Sequence, residues 1–333
     1  MIAKPYLLFL GDIGSAPNAK TAFGVRDWLP DETVGQWRLV GCSVDLEIPE
    51  LRPHEAFARG ARSLLIGVAP VGGQIPPHWH AALLEALEAG LDLVSGLHTR
   101  LTAIPALREA AARSGRALHD VRHTDRVFPV ASGRKRSGKR LLTVGTDCAL
   151  GKKYTALALA RAMRARGIEA DFRATGQTGI MIAGDGIAID AVVADFVAGA
   201  AETLSPDAAP AHWDVIEGQG SLFHPAYAGV TLGLLHGSQP DALVLCHDPL
   251  RFKVNMYPDF DLPPLPLALA RYVEAARLTN RAAKFVGVSL NTSKLDATAR
   301  PRVLRQTEEE TGLPAFDPLL TSLDGVLARL EKL

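Results

Sequence analysis

The sequence predicts an α/β protein with two open sheets of parallel strands, each covered by helices. Short apolar runs alternate with amphipathic segments along the chain, a pattern typical of parallel sheets packed between helices. The chain has 333 residues, whereas a typical domain has about 100 to 200. A glycine-bounded turn between a strand and a helix, at residues 145–155, marks where the second sheet begins.

The first sheet is assigned from composition and periodicity. Strands are predicted at residues 6–10, 40–44, 63–68, 91–95 and 117–121, and helices at 54–62, 80–89 and 101–114. The turn after the first strand contains Gly11 and Gly14 but lacks the GxGxxG spacing of a dinucleotide site, which argues against a dehydrogenase. We therefore predict a Rossmann-like open sheet in residues 1–130.

The second domain is predicted at residues 131–333, because residues 126–140 lack periodicity and are rich in Gly, Ser and basic residues. Its strands are expected at residues 141–144, 169–174, 215–217, 242–246 and 285–290, with a helix at 154–166. The basic run 134–140 is interpreted as a solvated linker, with a position near an anionic ligand as the alternative. The expected architecture is a P-loop NTPase-like α/β domain.

Composition excludes several functional classes. Lys plus Arg and Asp plus Glu each total 36, so the broad positive field of a nucleic-acid-binding protein is missing and a small-molecule ligand is expected. The three cysteines form no CxxC pair, which argues against a disulfide framework or a zinc cluster. No apolar run reaches the roughly 18 residues of a membrane helix, and no signal peptide is recognised. We expect a soluble cytoplasmic protein.

The turn at residues 145–155 has the context of a phosphate-binding loop. Backbone N–H groups in such a turn point inward, the helix dipole adds positive charge, and the ammonium of Lys152 reaches bound phosphate. The alternative is a glycine-rich turn with surface lysines. The predicted cofactor-binding residues are Gly145, Thr146, Cys148, Gly151, Lys152, Lys153, Tyr154 and Thr155.

This loop departs from the usual P-loop pattern at two points. Gly151 lies six positions after Gly145, and this longer Gly-Thr-Asp form resembles the loop of dethiobiotin synthetase. Lys153 stands where a Ser or Thr usually supplies the Mg²⁺ ligand. We therefore expect an anion cradle that does not require Mg²⁺, although Tyr154 and Thr155 remain possible hydroxyl ligands. No protein metal site is predicted.

Polar residues follow three other predicted strands, and strand ends of an open α/β sheet converge on its ligand crevice. Glu217 opens a glycine-spaced turn similar to the Glu-Gly-x-Gly motif of dethiobiotin synthetase relatives. Gln177 and Thr178 are predicted to contact a polar substrate, as is Asn291. For Glu217, a purely structural carboxylate is the alternative.

Histidine and basic residues supply further candidates. His224 and His247 lie near strand ends, where ordinary hydrogen-bonded histidines are the alternative, and neither belongs to an HExxH motif. Arg251 and Lys253 are suited to binding substrate carboxylates, or they form part of a solvated loop.

Taken together, the loop at 145–153, the Glu-Gly-Gln-Gly-Ser run at 217–221 and the opening Leu-Phe-Leu-Gly-Asp at 8–12 resemble the DgcN family over nearly the whole chain. The resemblance implies acetyl transfer from acetyl-CoA to the amino group of D-glutamate. The choice of the D enantiomer rests on the resemblance alone. A homo-oligomer is expected, as for many enzymes of this kind.

For this reaction a carboxylate or histidine must take a proton from the substrate ammonium. Glu217 is the leading predicted base, followed by Asp147 and His224, and a Cys148 acyl-enzyme is less favoured because no activating histidine adjoins it in sequence. The main rival is an ATP- and Mg²⁺-dependent kinase or carboxylate-activating ligase. A non-catalytic sensor of nucleotide or acyl-CoA is a third hypothesis.

Overall fold

The computed structural model describes residues 2–124 and 126–333, so Met1 and Asp125 of the predicted first domain lie outside it. The strands are β1 Tyr6–Gly11, β2 Thr33–Arg38, β3 Ser63–Ile66, β4 Asp92–Ser95, β5 Leu118–Asp120, β6 Lys139–Gly145, β7 Ala170–Arg173, β8 Trp213–Ile216, β9 Ala242–His247, β10 Lys253–Val254, β11 Tyr257–Asp261, β12 Lys284–Leu290 and β13 Ala315–Phe316. The helices are α1 Lys20–Trp28, α2 Pro53–Ala58, α3 His80–Glu88, α4 Pro105–Ser114, α5 Lys152–Ala165, α6 Gln177–Ala183, α7 Val197–Leu204, α8 Ala228–Ser238, α9 Leu265–Arg277, α10 Ala299–Thr311 and α11 Asp324–Leu330.

The first compact unit comprises Met1–Asp125 together with Gly176–Ala191. Its five strands form a parallel sheet in the order β2-β1-β3-β4-β5. The whole of β1 is buried because it pairs with a strand on each side and is covered on both faces. This sheet confirms the predicted α/β class for the N-terminal part.

One predicted strand of this unit is wrong. Residues 40–44 form a loop, in which Cys42 N donates to Leu39 O at 3.1 Å and the Val40 side chain is fully exposed. The strand that pairs with β1 here is β2, which begins at Thr33, seven residues before the predicted strand. Gly35 interrupts the apolar pattern of β2, because a Cβ there would lie 2.5 Å from Pro49 O. Close backbone packing therefore hides this strand from a hydrophobic-pattern search.

The first unit also includes a segment from the middle of the chain. Helix α6 is tied to it by hydrogen bonds from Tyr6 Oη to Met181 O at 2.9 Å and from Lys4 Nζ to Ile182 O at 2.8 Å. The predicted division into residues 1–130 and 131–333 contains no such return of the chain.

The second unit comprises Arg126–Thr175 and Val192–Leu333. Its six strands form a parallel sheet in the order β13-β12-β9-β6-β8-β7, and β10 and β11 form a separate antiparallel hairpin. Leu141, Leu159, Val215, Val244 and Val286 pack in its core beside α5. Strand β6 lies centrally between β8 and β9, so the loop after β6 is flanked by the ends of both neighbours.

The basic run at residues 134–140 is only partly the solvated linker that its composition predicts, since Arg134 and Lys135 are exposed. Arg136 is only 5% exposed and Arg140 only 1% exposed. Arg136 donates to Gly237 O at 2.6 Å, at the end of α8, and Arg140 donates through Nε to Ser205 Oγ at 2.8 Å. Backbone carbonyls at a helix end accept such bonds readily, although Nε and Nη1 of Arg136 are buried with no partner among the described residues.

A membrane-spanning helix needs about 20 mainly apolar residues. Across residues 2–124 and 126–333, none of the helices is long and apolar enough to cross a bilayer.

Candidate phosphate-binding site

The loop between β6 and α5 has the backbone form of an anion cradle. It begins after Gly145 and ends at Lys152, where α5 begins. Ala149 and Gly151 have left-handed φ angles of 54° and 104°, which turn the chain sharply before the helix. The N–H groups of the first turn of α5 have no partners within the helix, so this end favours a negatively charged group.

Lys152 folds back over this loop. Its side chain is buried, and Nζ donates to Asp147 O at 2.8 Å. Burial lowers the pKa of Lys152, and nearby Cys148, Cys246, Asp147 and Glu217 oppose that shift. The ammonium is thus held against the loop backbone at Asp147. Its contact with a bound phosphate stays a prediction.

Asp147 is fully buried, and its carboxylate is bonded to the loop and to the segment after β9. One carboxylate oxygen accepts the Cys148 N–H at 2.7 Å. The other accepts from Arg251 Nη1 at 2.9 Å and from the Asn255 N–H at 2.8 Å. Arg251 also donates to Cys148 O at 2.7 Å. In this arrangement Arg251 braces the loop, whereas the sequence predicts that it binds substrate.

Lys153 and Thr155 occupy different environments in the first turn of α5. The Lys153 ammonium lies 4.5 Å from the ring centroid of Tyr154. Burial lowers the pKa of Lys153, and the Glu217 carboxylate opposes that shift. Thr155 is buried against the sheet, where its hydroxyl pairs with Ser289 Oγ at 2.7 Å. We therefore leave Thr155 out of the proposed phosphate site, although the sequence includes it.

The residues present do not fit the Mg²⁺ site typical of nucleotide-hydrolysing P-loop enzymes. That site uses the hydroxyl directly after the loop lysine together with an acidic side chain. Here the position is Lys153, and an ammonium has three donors and no lone pair. The Thr155 hydroxyl is held by Ser289, and the Asp147 carboxylate is held by Arg251 and backbone N–H groups.

Glu217 follows β8 and lies beside the end of β6. Its Oε2 accepts the Thr175 N–H at 3.0 Å, and its carbonyl accepts from Thr175 Oγ1 at 2.6 Å. Gly218 packs directly on β6, since a Cβ there would lie 1.7 Å from Thr143 O. The glycine is therefore required for Glu217 to approach the loop.

Two residues that the sequence interpretation missed join this turn to the loop. Ser221 Oγ donates to Gly145 O at 2.9 Å, and Tyr272 Oη donates to the same oxygen at 2.8 Å. Tyr272 comes from α9, far along the chain, and no local pattern marks it. Ser221 lies at the end of the glycine-spaced turn, and that position is the one feature of the sequence that could have identified it as a partner of the loop.

His224 also reaches the loop. One of its ring nitrogens, the Cys148 sulfur and an Asp147 oxygen all lie within 4.8 Å of one another. Nδ1 accepts the Ala226 N–H at 3.2 Å, so the proton of the neutral ring is on Nε2. That tautomer has no free lone pair for a metal or for a substrate proton, and Tyr227 stacks on the ring at 4.5 Å. The contacts thus favour neither a metal cluster nor His224 as base.

The Cys148 thiol is a poor nucleophile in this position. Burial raises the pKa of Cys148, and Lys152 and Arg251 only partly oppose the shift. A thiol that stays protonated reacts slowly, which agrees with the low rank of an acyl-enzyme in the sequence interpretation.

His247 at the end of β9 contacts the loop, and it makes the stability of the folded protein dependent on pH. Its Nδ1 pairs with Thr146 Oγ1 at 2.9 Å. Burial lowers the pKa of His247 to about 4, below the ordinary value of about 6.5. Since the unfolded chain then binds the proton more tightly, the neutral histidine stabilises the fold above pH 6.5. That contribution is lost as the pH falls towards 4.

As the pH falls from 6.5 to 4, we expect the low pKa of His247 in the folded protein to lower the free energy of unfolding by up to about 3 kcal/mol. In His247→Asn this part of the pH dependence is absent, because asparagine does not titrate. Urea unfolding of both proteins at several pH values measures the difference. The exposed His54→Asn should retain the wild-type dependence, and an equal dependence in His247→Asn would contradict the assignment.

The other predicted substrate residues belong to several elements of the two units. Gln177 and Thr178 begin α6 in the first unit, where Thr178 Oγ1 pairs with Thr21 Oγ1 at 2.9 Å. Lys253 pairs with Asp261 at 2.7 Å across the exposed hairpin. Asn291 follows β12, and its N–H donates to His247 O at 2.9 Å. Asn291 thus lies at the end of a strand that pairs with β9, the neighbour of β6.

Comparison with known proteins agrees with this two-part description. A family model described as a domain of unknown function, DUF1611_C, P-loop domain, matches residues 129–327, and DUF1611_N, Rossmann-like domain, matches residues 37–124. A crystal structure of a DUF1611 family protein from Anabaena variabilis superposes with a TM-score of 0.89 at 35% identity, covering 99% of this chain and 100% of the other.

Two curated relatives carry a functional name. A D-glutamate N-acetyltransferase from Tritonibacter scottomollicae is 52% identical, with 96% of each chain covered. A second protein of that name, from a Pseudoalteromonas species, is 44% identical, with 99% of each chain covered. These full-length matches confirm the resemblance and the predicted Rossmann-like and P-loop domains, and the chain belongs to the DUF1611 family.

Proposed function

We propose that this protein is a D-glutamate N-acetyltransferase that uses acetyl-CoA. The observation that carries the proposal is the near-complete alignment with two proteins of that name at 52% and 44% identity. The loop chemistry supports it, because coenzyme A carries a pyrophosphate and a ribose phosphate. Lys152 offers an ammonium to such groups, and the first turn of α5 offers the positive end of the helix dipole.

The reaction joins the substrate nitrogen to the acetyl carbon and breaks the bond between that carbon and the CoA sulfur. The substrate ammonium must first lose a proton, and the departing thiolate takes up one proton. Among the three predicted bases, Asp147 has both oxygens engaged and His224 carries its proton on Nε2. Glu217 is therefore the base that we propose. Backbone N–H groups near the acetyl carbonyl would stabilise the oxyanion that forms there.

A free-thiol assay tests the function directly. The purified protein is mixed with acetyl-CoA and either D-glutamate or L-glutamate, with and without EDTA. We expect thiol release with D-glutamate, unaffected by EDTA, and the formation of N-acetyl-D-glutamate by mass spectrometry. L-glutamate is the matched control for background hydrolysis.

Other outcomes point to the rival hypotheses. Product formation only with ATP and Mg²⁺ would replace the proposal by a kinase or ligase. Binding of acetyl-CoA without turnover of either enantiomer would indicate a sensor. A homo-oligomer and a cytoplasmic location remain predictions, which size-exclusion chromatography with light scattering and cell fractionation would test.

A further inference from the structure

In a P-loop, the residue after the loop lysine helps to determine whether a metal ion neutralises the charge of the bound phosphates. Lys153 occupies that position, at the start of α5, with its ammonium against the Tyr154 ring. Burial lowers the pKa of Lys153, and the Glu217 carboxylate opposes that shift. A nucleotide enzyme has a hydroxyl at this position and a divalent cation beside it. In this protein the position carries an amino side chain instead of a hydroxyl.

The charges of the loop match a particular class of ligand. Arg251 is paired with Asp147, so the loop lysines, Lys152 and Lys153, are the residues left to balance the charge of a ligand. A diphosphate diester such as the one in coenzyme A carries about two negative charges, which two ammonium groups balance. A nucleoside triphosphate carries about four and normally arrives with Mg²⁺. A divalent ion next to Lys153 would meet like-charge repulsion.

We propose that Lys153 takes the place of the magnesium ion, so that the loop binds a diphosphate diester as the free anion and disfavours metal–nucleotide complexes. With three donors, the Lys153 ammonium can bond to a phosphate oxygen without displacing its other partners. The identity of the diester as coenzyme A rests on the proposed function. The independence from metal is a property of the loop and is tested separately.

The test compares Lys153→Thr, which restores the missing hydroxyl, with Lys153→Met, which removes the charge and adds no hydroxyl. Calorimetric titrations use coenzyme A and inorganic pyrophosphate, in EDTA and in Mg²⁺, and electron paramagnetic resonance follows Mn²⁺ as the Mg²⁺ substitute. The exposed Lys332→Thr serves as the surface control.

For the wild type we expect coenzyme A affinity to be the same in EDTA and Mg²⁺ within about twofold, and no bound Mn²⁺ signal. In EDTA both Lys153 variants should bind about 10- to 100-fold more weakly, the range for one lost charge-assisted contact. Mg²⁺ should restore affinity in Lys153→Thr alone, with an immobilised Mn²⁺ spectrum. Lys332→Thr should behave as the wild type.

The inference is overturned if the wild type requires Mg²⁺ for either probe, or if Lys153→Thr keeps full affinity in EDTA. Should the variants not fold, the wild-type titrations and Mn²⁺ spectra still decide the matter. Metal-independent pyrophosphate binding without coenzyme A binding or acetyl transfer would support the loop inference and remove the proposed function. Acetyl transfer that needs Mg²⁺ would support the proposed function and contradict the loop inference.

Discussion

Lys152→Ala is expected to lower kcat/KM for acetyl-CoA by about 100-fold, which corresponds to roughly 3 kcal/mol of lost binding to a charged group. The physical reason is the position of the ammonium, which is buried inside the loop and bonded to Asp147 O. A bound phosphate would exchange that neutral carbonyl for a charged acceptor. Steady-state kinetics with D-glutamate in excess measure the change.

The loss should appear mainly in KM for acetyl-CoA, because Lys152 is proposed to bind a part of the donor remote from the reacting carbon. Lys332→Ala removes an exposed lysine and should leave the kinetics unchanged. Circular dichroism and thermal unfolding check that Lys152→Ala remains folded. A folded variant with an unaltered KM would show that the loop does not hold the donor phosphates.

Glu217→Gln is expected to lower kcat by roughly 100- to 1,000-fold, within the range for losing a general base. Glutamine keeps the shape of the side chain and an oxygen for the Thr175 N–H, which Glu217 accepts at 3.0 Å. It cannot take a proton from the substrate ammonium. Rapid-quench measurement of the acetylated product separates this chemical step from product release.

The division between kcat and KM distinguishes the proposed base from a residue that only shapes the cradle. For a base, KM for acetyl-CoA should change by less than about threefold while kcat falls. Asp261→Asn, which removes an exposed carboxylate on the hairpin, is the matched control. If KM rises as much as kcat falls in Glu217→Gln, the base assignment is wrong and Glu217 acts through Lys153.

The parts of the site that could be predicted are those encoded by consecutive residues. The apolar strand, the glycine-bounded turn and the start of α5 lie within one short stretch, so their order alone specifies the loop. Glu217 was found for a similar reason, since a carboxylate after an apolar strand precedes two glycines that allow close packing.

The contacts that depend on distant segments could not be predicted in this way. Tyr272 on α9 reaches Gly145 O, and Ser289 on β12 engages the Thr155 hydroxyl, although nothing near either residue in sequence marks the loop as its partner. Arg251 was recognised as a cation suited to a carboxylate. The carboxylate that it contacts proved to be Asp147 of the protein itself.

Composition gave a wrong prediction for the burial of Arg136, because that burial depends on backbone acceptors that composition does not reveal. Arg136 lies in a run of basic residues typical of solvent, yet carbonyls at the end of α8 accept its N–H groups. Helix propensity gives no information about which sheet a helix covers, and so the return of α6 to the first unit was missed as well.

Because α6 belongs to the first unit, the ribosome must synthesise part of the second unit before the first can be completed. Domains usually fold as units, in sequence, while the chain emerges from the ribosome. Here the first unit is complete only when Ala191 has emerged, and by then β6, α5 and β7 of the second unit are already outside. The first unit is therefore still incomplete when the loop after β6 has been synthesised, and the partners of that loop on β9, α9 and β12 follow later still.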